Sequence, residues 1–544
     1  MVRIFADIPW RLRLLTFVSA VLQALIFPNP AISWLSWIAL VPLLIALMDC
    51  KRPLHGFILA FECGVIWYLF TCMWIFHVMH VYGGLSSVLS LFVLFLFAIY
   101  MGLYPAFFGW LFVRLALHEK FGISKALVVA PFIWITVELA RTHVVSFPWN
   151  LLGYAQIENV GLTRLATVTG VYGVSFVIIA VNVLFAFASL KGPIRDRVFL
   201  AAMSVALVLQ SLSVIHPPLA AAHQQVTLLQ PNLPMNDSQW TQDEFDKNVT
   251  EFARKSSTGA QSSNEPKIIL WPESPAPFYE NDPKLRVPVM TLAGKQNAFV
   301  VMGVYGLESR QVPGQPYDVY NSALIIAPNG ERLGRYDKIH LVPFGEYVPF
   351  KSMFFFLDSI THDVGGFSRG TERKVFKLNT APLAAPMPDM PGMEHNAMPP
   401  TTASKQASTP KTLSIIICYE AVFPDEVRQF VNNGAQVLLN ISNDGWYGPL
   451  GATRQHLNIV RMRAIENHRW LLRATNTGIT ATIDPYGRLI SQTKIDQAAV
   501  LHSQFEYLAD TTFYTHHGDL FAYLCAIITL VTMLITFIGK KKTN

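Results

Sequence analysis

Charged side chains are scarce in this sequence: Asp, Glu, Lys and Arg make up only 14% of 544 residues, whereas 52% are hydrophobic. That balance excludes a fully solvated chain and fits an integral membrane protein carrying a soluble domain. The formal net charge of +6 is modest, and no basic run is present to bind nucleic acid. Cysteine is sparse as well, with five in all. No Cys-x-x-Cys occurs and no His/Cys group has metal-ligand spacing, so neither a metal nor a cofactor is expected. There is no internal repeat. Nor is there a cleavable signal-peptide pattern, because the first apolar run leads straight into further ones.

What the chain has instead is apolar length. A hydrocarbon core of about 30 Å takes about 20 apolar residues to cross. Runs at 9–27, 31–48, 56–76, 86–113, 123–141, 163–190, 198–215 and 520–538 predict eight spans. Ser86–Val113 is free of charge and holds Gly102, Pro105 and Gly109, which predicts a tilted or kinked helix. Glu62 and Glu138 are the costly residues within spans, and structural pairing is their expected role. Loop charge alternates. Arg3, Arg11 and Arg13 precede the first span; Lys51 and Arg52 follow the second; Lys120 and Lys125 follow the fourth. Lys191, Arg195 and Arg197 follow the sixth, and Lys540–Lys542 follow the eighth. By the positive-inside rule both termini are cytoplasmic and the stretch after the seventh span is exported. The expected organisation is a membrane domain of seven transmembrane helices at 1–221, an exported domain at 222–510, and an eighth helix with a basic tail at 511–544.

Within the exported domain, strand-like runs Val226–Leu229, Ile268–Trp271, Phe299–Tyr305, Ala323–Ala327, Ser414–Ile417, Val437–Ile441 and Ile479–Ile483 alternate with helical or turn segments. Ala-Pro-Asn-Gly at 327–330 and Asp-Pro-Tyr-Gly at 484–487 each follow a strand and predict hairpins. An α/β fold is the economical reading. The segment 379–411, rich in Pro, Ala, Met, Ser and Thr, reads as a disordered insertion. Its Met387, Met390, His395 and Met398 are better explained by that composition than by a soft-metal site.

Four cysteines, Cys50, Cys63, Cys72 and Cys525, lie in or beside spans, which leaves Cys418 alone in the exported domain. Without an intradomain partner it can persist as a thiol. It ends the apolar strand of Leu413–Glu420, just before Phe423-Pro424 opens a helical stretch, Asp425–Asn433. A thiol on such a strand-to-helix turn is close to backbone N–H groups, although a buried structural cysteine has the same local sequence. Glu273 follows the Ile268–Trp271 strand between Pro272 and Pro275, a rigid setting for a general base or for a solvated loop acid. Lys338 and Glu346 sit among aromatics and prolines in Gly334–Phe350, not on a charged helix face. Together Glu273, Lys338 and Cys418 supply a base, a cation for an oxyanion and a nucleophile, which is what thiol-based acyl transfer requires.

This set, in this order, resembles the Glu-Lys-Cys triad of the nitrilase superfamily. Its flanks, Trp-Pro-Glu at 271–273, Tyr-Asp-Lys-Ile-His-Leu-Val-Pro-Phe-Gly-Glu at 336–346 and Cys-Tyr-Glu at 418–420, look like the membrane-bound apolipoprotein N-acyltransferase branch. The resemblance implies a four-layer α-β-β-α sandwich and a ping-pong reaction. An acyl chain would pass from a phospholipid, with phosphatidylethanolamine as the expected donor, to Cys418 as a thioester. The α-amine of a diacylglyceryl-cysteine apolipoprotein would then take it. A monomer in a bacterial inner membrane, with the catalytic domain in the periplasm, is expected.

Chemistry and resemblance together add further candidates. Glu346 can orient Lys338; Tyr419 can offer its N–H to an oxyanion, and Glu420 flanks the nucleophile. Asn443, Asp444 and Trp446 match a pocket-lining motif, although a turn built from Asn-Asp-Gly has the same look. Trp240 is a candidate gate for lipid, and Phe147 and Trp149, placed at the membrane interface, are candidate substrate-binding residues. Two rival classes are a membrane-anchored nitrilase-type amidase acting on a small amide and a transporter with an outer binding domain. Eight spans exceed what an anchor needs, and no matched pair of broken segments supports transport.

Overall fold

The computed structural model describes residues 7–538 except 28–29, 191–193, 216, 235–240, 259–264, 274–277, 313–314, 344, 348–365, 379–409 and 450. Among the described residues, seven helical segments are long and apolar enough to cross a membrane. They are Ala31–Met48, Pro53–Thr71, Ser87–Ala116, Gly122–Val144, Val171–Ala188, Arg195–Val214 and Leu520–Ile538. The first of the eight expected spans differs: Trp10–Leu25 has 16 residues. At a rise of about 1.5 Å per residue that is about 24 Å, short of the hydrocarbon core. Arg11 and Arg13 occupy its first turn, and Arg13 pairs with Glu62 at 2.7 Å.

The long helix Ser87–Ala116 runs through Pro105 and packs closely on Pro53–Thr71. Gly109 and Gly56 make that approach possible. A Cβ on either would meet the other's carbonyl oxygen at 2.3–2.5 Å, so small residues fix this crossing. Glu138 is buried and accepts hydrogen bonds from the Leu152 N–H at 2.7 Å and the Trp134 indole at 3.1 Å. Both intramembrane carboxylates therefore serve structure, as expected.

The domain between Val214 and Leu520 holds two six-stranded sheets. The first contains β1 (Gln224–Gln230), β2 (Lys267–Leu270), β3 (Ala298–Val312), β4 (Gln315–Ile326) and β5 (Arg332–Asp337). The second contains β6 (Phe376–Leu378), β7 (Lys411–Ile417), β8 (Val437–Ser442), β9 (Leu471–Thr475), β10 (Ala481–Ile483) and β11 (Leu489–Gln492). The last strand, β12 (Ala499–Phe505), returns to the first sheet, antiparallel to β1. Strands β1, β2 and β3 run parallel, as do β7, β8 and β9. Both expected hairpins are present, β4–β5 and β10–β11.

Alternation decides the layers. Leu228, Leu270, Val301 and Ile325 join the large core that also holds Ile415, Ile417 and Leu439, whereas Leu229, Ile269, Val300 and Leu324 face the other way. The outward set packs on Phe245, Val249 and Phe252 of helix Gln242–Ser256 and on Leu285, Val289 and Leu292 of helix Pro283–Lys295. Helices Pro424–Asn432 and Ala452–Asn467 follow β7 and β8. Every residue of Ala452–Asn467 except Arg454 is buried, because the membrane domain covers the face that the sheet leaves free. Arg461 pairs with Glu158 at 2.5 Å, and Glu466 accepts the N–H of Val171 at 3.0 Å, so this helix joins the two domains. The result is an α-β-β-α sandwich seated on membrane helices.

Candidate active site

Parallel strands end on one rim, and the catalytic candidates lie just beyond those ends. Cys418 follows β7 directly and opens a 3₁₀ turn, Cys418–Val422, with φ +50°. A left-handed conformation at a non-glycine residue costs about 1–3 kcal/mol and marks a tightly specified elbow. Glu273 stands three residues past β2, and Lys338 one past β5. The Lys338 N–H donates to the Asn321 carbonyl at 2.9 Å, and its own carbonyl accepts from Gly370 at 2.8 Å. A side chain at Gly370 would collide with the Asp337 carbonyl oxygen, at 2.1 Å, so this close approach requires glycine.

The three side chains are almost removed from solvent: Lys338 is 1% exposed, Cys418 6% and Glu273 7%. Lys338 Nζ lies 2.9 Å from Glu346 Oε1 and 3.3 Å from Glu273 Oε1. Burial opposes its ammonium, but Glu273, Glu346 and Cys418 outweigh burial and hold the pKa above the ordinary lysine value. The Cys418 thiol is pushed up to about 12, first by burial and then by the Glu273 charge, against the opposite pull of Lys338. At neutral pH the sulfur is therefore a thiol, and any attack by it needs a base to take its proton.

Glu273 is held by three donors. Asn321 Nδ2 and Lys338 reach Oε1, and the Asn443 N–H reaches Oε2 at 2.9 Å. Asn321 also donates to Glu346 Oε1 at 2.6 Å, while Glu346 Oε2 accepts the N–H of Val342 at 2.8 Å. Glu346 thus orients Lys338, and Asn321 bridges both carboxylates. Asn321 was not evident in the sequence, since nothing in the Tyr-Asn-Ser-Ala of β4 separates it from an ordinary strand residue.

Glu420 is fully buried two residues after Cys418. One carboxylate oxygen accepts from Tyr336 Oη at 2.8 Å and from the N–H groups of Ile339 and His340. The other accepts from the Ile417 N–H at 2.8 Å. Burial raises its pKa to about 7 against these donors.

Residues 19–184 match the model of the apolipoprotein N-acyltransferase N-terminal domain, and residues 225–505 match that of carbon-nitrogen hydrolase. The apolipoprotein N-acyltransferase of Geobacter metallireducens is 33% identical over 548 residues, covering 99% of this chain and 97% of that one. That of Chlorobaculum tepidum is 30% identical, covering 97% of each.

The chain belongs to the apolipoprotein N-acyltransferase family.

Among solved structures, an amidase of the nitrilase superfamily from Nesterenkonia sp. AN1 is 16% identical, with a TM-score of 0.35, over 56% of this chain and 98% of that one. A branch 10 nitrilase-superfamily member from Saccharomyces cerevisiae, 16% identical with a TM-score of 0.35, covers 52% and 90%.

Other expected residues of this family member fall in different places. Trp240 lies outside the described residues. Asn443 meets Glu273 through its backbone, as above. Asp444 is buried, and its carboxylate is taken up by Arg473 at 2.6 Å, Ser442 Oγ at 2.8 Å and His456 at 3.1 Å. Arg473 and His456 outweigh burial and hold it well below the usual carboxylate range. Trp446 is 36% exposed, its ring centroid 4.7 Å from that of Tyr82, whose hydroxyl donates to the Gly445 carbonyl. The Tyr419 hydroxyl donates to the Ser146 carbonyl at 3.2 Å, which ties the elbow to the membrane domain.

Phe147 and Trp149 are not exposed interface aromatics. Both are buried, and the Trp149 indole donates to Gln455 Oε1 at 2.6 Å. Phe147 packs edge-on against Phe97, and Trp149 packs on Trp74 and Tyr447. These rings fill the seam between the domains, which single-sequence hydropathy does not distinguish from a lipid boundary. No group of three or more His, Cys, Asp or Glu among the described residues is arranged to hold a metal.

Proposed function

We propose that this protein transfers an acyl chain from a membrane phospholipid, through a thioester on Cys418, to the α-amine of a diacylglyceryl-cysteine apolipoprotein. The observation that carries the proposal is the buried Glu273–Lys338–Cys418 set standing over membrane-spanning helices. In the first half-reaction Cys418 Sγ attacks the ester carbonyl while Glu273 takes the thiol proton. Lys338 and the Tyr419 N–H receive the oxyanion. The ester C–O bond then breaks, the leaving alkoxide takes the proton from Glu273, and a lysophospholipid departs. In the second half-reaction the amine attacks the thioester and passes its proton to Glu273, and the sulfur leaves to regain a proton. An amide remains.

The membrane domain gives the chemistry its substrates. Withdrawing a phospholipid from the bilayer costs about 0.8 kcal/mol per CH₂, so a site above the leaflet lets the ester rise while the tails stay apolar. Phosphatidylethanolamine, through its sn-1 chain, is the donor we infer, and the protein acts as a monomer. Lys51 with Arg52, Lys120 with Lys125, and Arg195 with Arg197 lie on the membrane side opposite the sandwich. That bias supports a periplasmic catalytic domain on a bacterial inner membrane.

Purified protein given acyl-labelled phosphatidylethanolamine should move label into amide linkage on a diacylglyceryl lipopeptide with a free α-amine, and not on its N-acetylated form. Label released only as free fatty acid would overturn transfer in favour of hydrolysis.

A further inference from the structure

His456 lies outside every motif described above, yet it touches the nucleophile's own peptide. It sits on helix Ala452–Asn467 and is fully buried, with Nε2 3.3 Å from the Cys418 carbonyl oxygen. A carbonyl only accepts, so Nε2 carries the proton and donates. The other ring nitrogen, Nδ1, faces Asp444 Oδ1 at 3.1 Å and Arg473 Nη2 at 3.3 Å. Arg473 Nη2 donates to the second oxygen, Asp444 Oδ2, at 2.6 Å. Asp444, itself held by Arg473, thereby fixes the plane of the imidazole. The Trp149 and Tyr447 rings pack on the imidazole, with centroids 5.8 and 5.7 Å away.

The consequence follows from peptide geometry. In a trans peptide the C=O and the next N–H lie in one plane and point in opposite directions. Fixing the Cys418 oxygen against His456 turns the Tyr419 N–H to the opposite edge, away from the packed rings. We propose that His456 is a positioning residue that aims the Tyr419 N–H at the oxyanion of the acyl-transfer intermediate. This rests on the acyl-transfer reading above. The strained φ of Cys418 gives the hydrogen bond something to hold, because the elbow lacks the support of a favourable backbone conformation.

The test compares H456M, which removes the donor, with H456Q, whose amide reaches the same carbonyl. Each is assayed for single-turnover acylation by phospholipid, acylation by p-nitrophenyl acetate, and alkylation by iodoacetamide, which forms no oxyanion. H456M should lose about tenfold to 10²-fold in acylation by both donors, part of what a whole oxyanion donor contributes. Its alkylation rate and its KM for phospholipid should hold, and H456Q should recover most of the loss. Unchanged acylation in H456M would overturn the assignment. So would a parallel fall in alkylation, which would mean that His456 places the thiol and not the oxyanion donor. A parent acylated by the ester but not by phospholipid would refute the lipid reading, while the ester assay would still decide His456. A parent inert to both would overturn this inference as well.

Discussion

Glu420 accepts the backbone N–H of Ile339 at 2.5 Å, a bond that joins the turn after Cys418 to the loop after Lys338. Its second oxygen takes the Ile417 N–H, so one carboxylate sets the spacing of Lys338 and Cys418. E420Q keeps the shape but turns an amide toward buried donors. We expect a stability loss of about 1–3 kcal/mol and, from a displaced lysine, acylation slower by on the order of 10²-fold. Thermal unfolding and single-turnover acylation check both; a variant that unfolds early yet acylates normally would limit Glu420 to a structural role.

Charge and geometry can be separated at Lys338. K338M keeps the stem and loses the cation, so both half-reactions should slow by about 10²–10³, roughly 3–4 kcal/mol. K338R keeps the charge, but the planar guanidinium cannot occupy the same point between Glu273 and Glu346 and should rescue poorly. Near-equal rates across the three proteins would remove the oxyanion role.

Asn321 donates to Glu273 and Glu346 at once. N321L should therefore release both carboxylates and forfeit part of the about 10²–10⁴ that a positioned base contributes. The loss should fall on kcat, with KM for phospholipid little changed. A rise in KM alone would make Asn321 a substrate contact instead.

The thiol should report its surroundings through pH. With the Cys418 pKa pushed up to about 12, the thiolate stays a minority and its fraction grows tenfold per pH unit between 7 and 10. Iodoacetamide alkylation should climb with that slope and show no plateau. Phospholipid acylation should not follow it, because Glu273 takes the proton during attack. A plateau in alkylation near pH 8 would mean a preformed thiolate.

Replacing 380–409 by a short turn should preserve folding and activity. Strands β6 and β7 are antiparallel neighbours with Leu378 opposite Lys411, so the ends of the removed stretch already lie side by side. A variant that folds and inserts but cannot transfer acyl chains would assign that stretch to substrate handling.

That Glu273, Lys338 and Cys418 are candidates to meet was legible because each follows a strand and is fenced by prolines, glycines or aromatics. The β4–β5 and β10–β11 hairpins were legible from their Pro and Gly turns. Apart from such turns, β5, β9 and β12 do not read as strands by their own residues: Arg332 and Arg335, the buried Arg473, and the half-exposed pattern of Ala499–Phe505 break the apolar runs that mark a strand. Asn321, His456 and the Asp444–Arg473 pair escaped for a common reason. Each acts through a partner at least 12 residues away, brought close only by strand order. Trp149 reads as interfacial until helix Ala452–Asn467 is seen packed over it.

The most direct measurement is the intact mass of the protein after exposure to phosphatidylethanolamine without an acceptor. The parent should gain one acyl chain, removed by hydroxylamine, and C418A should gain none while remaining folded, since one small side chain at a site rim removes little packing. An adduct on C418A, or transfer to lipopeptide by a parent that never carries one, would contradict the thioester route.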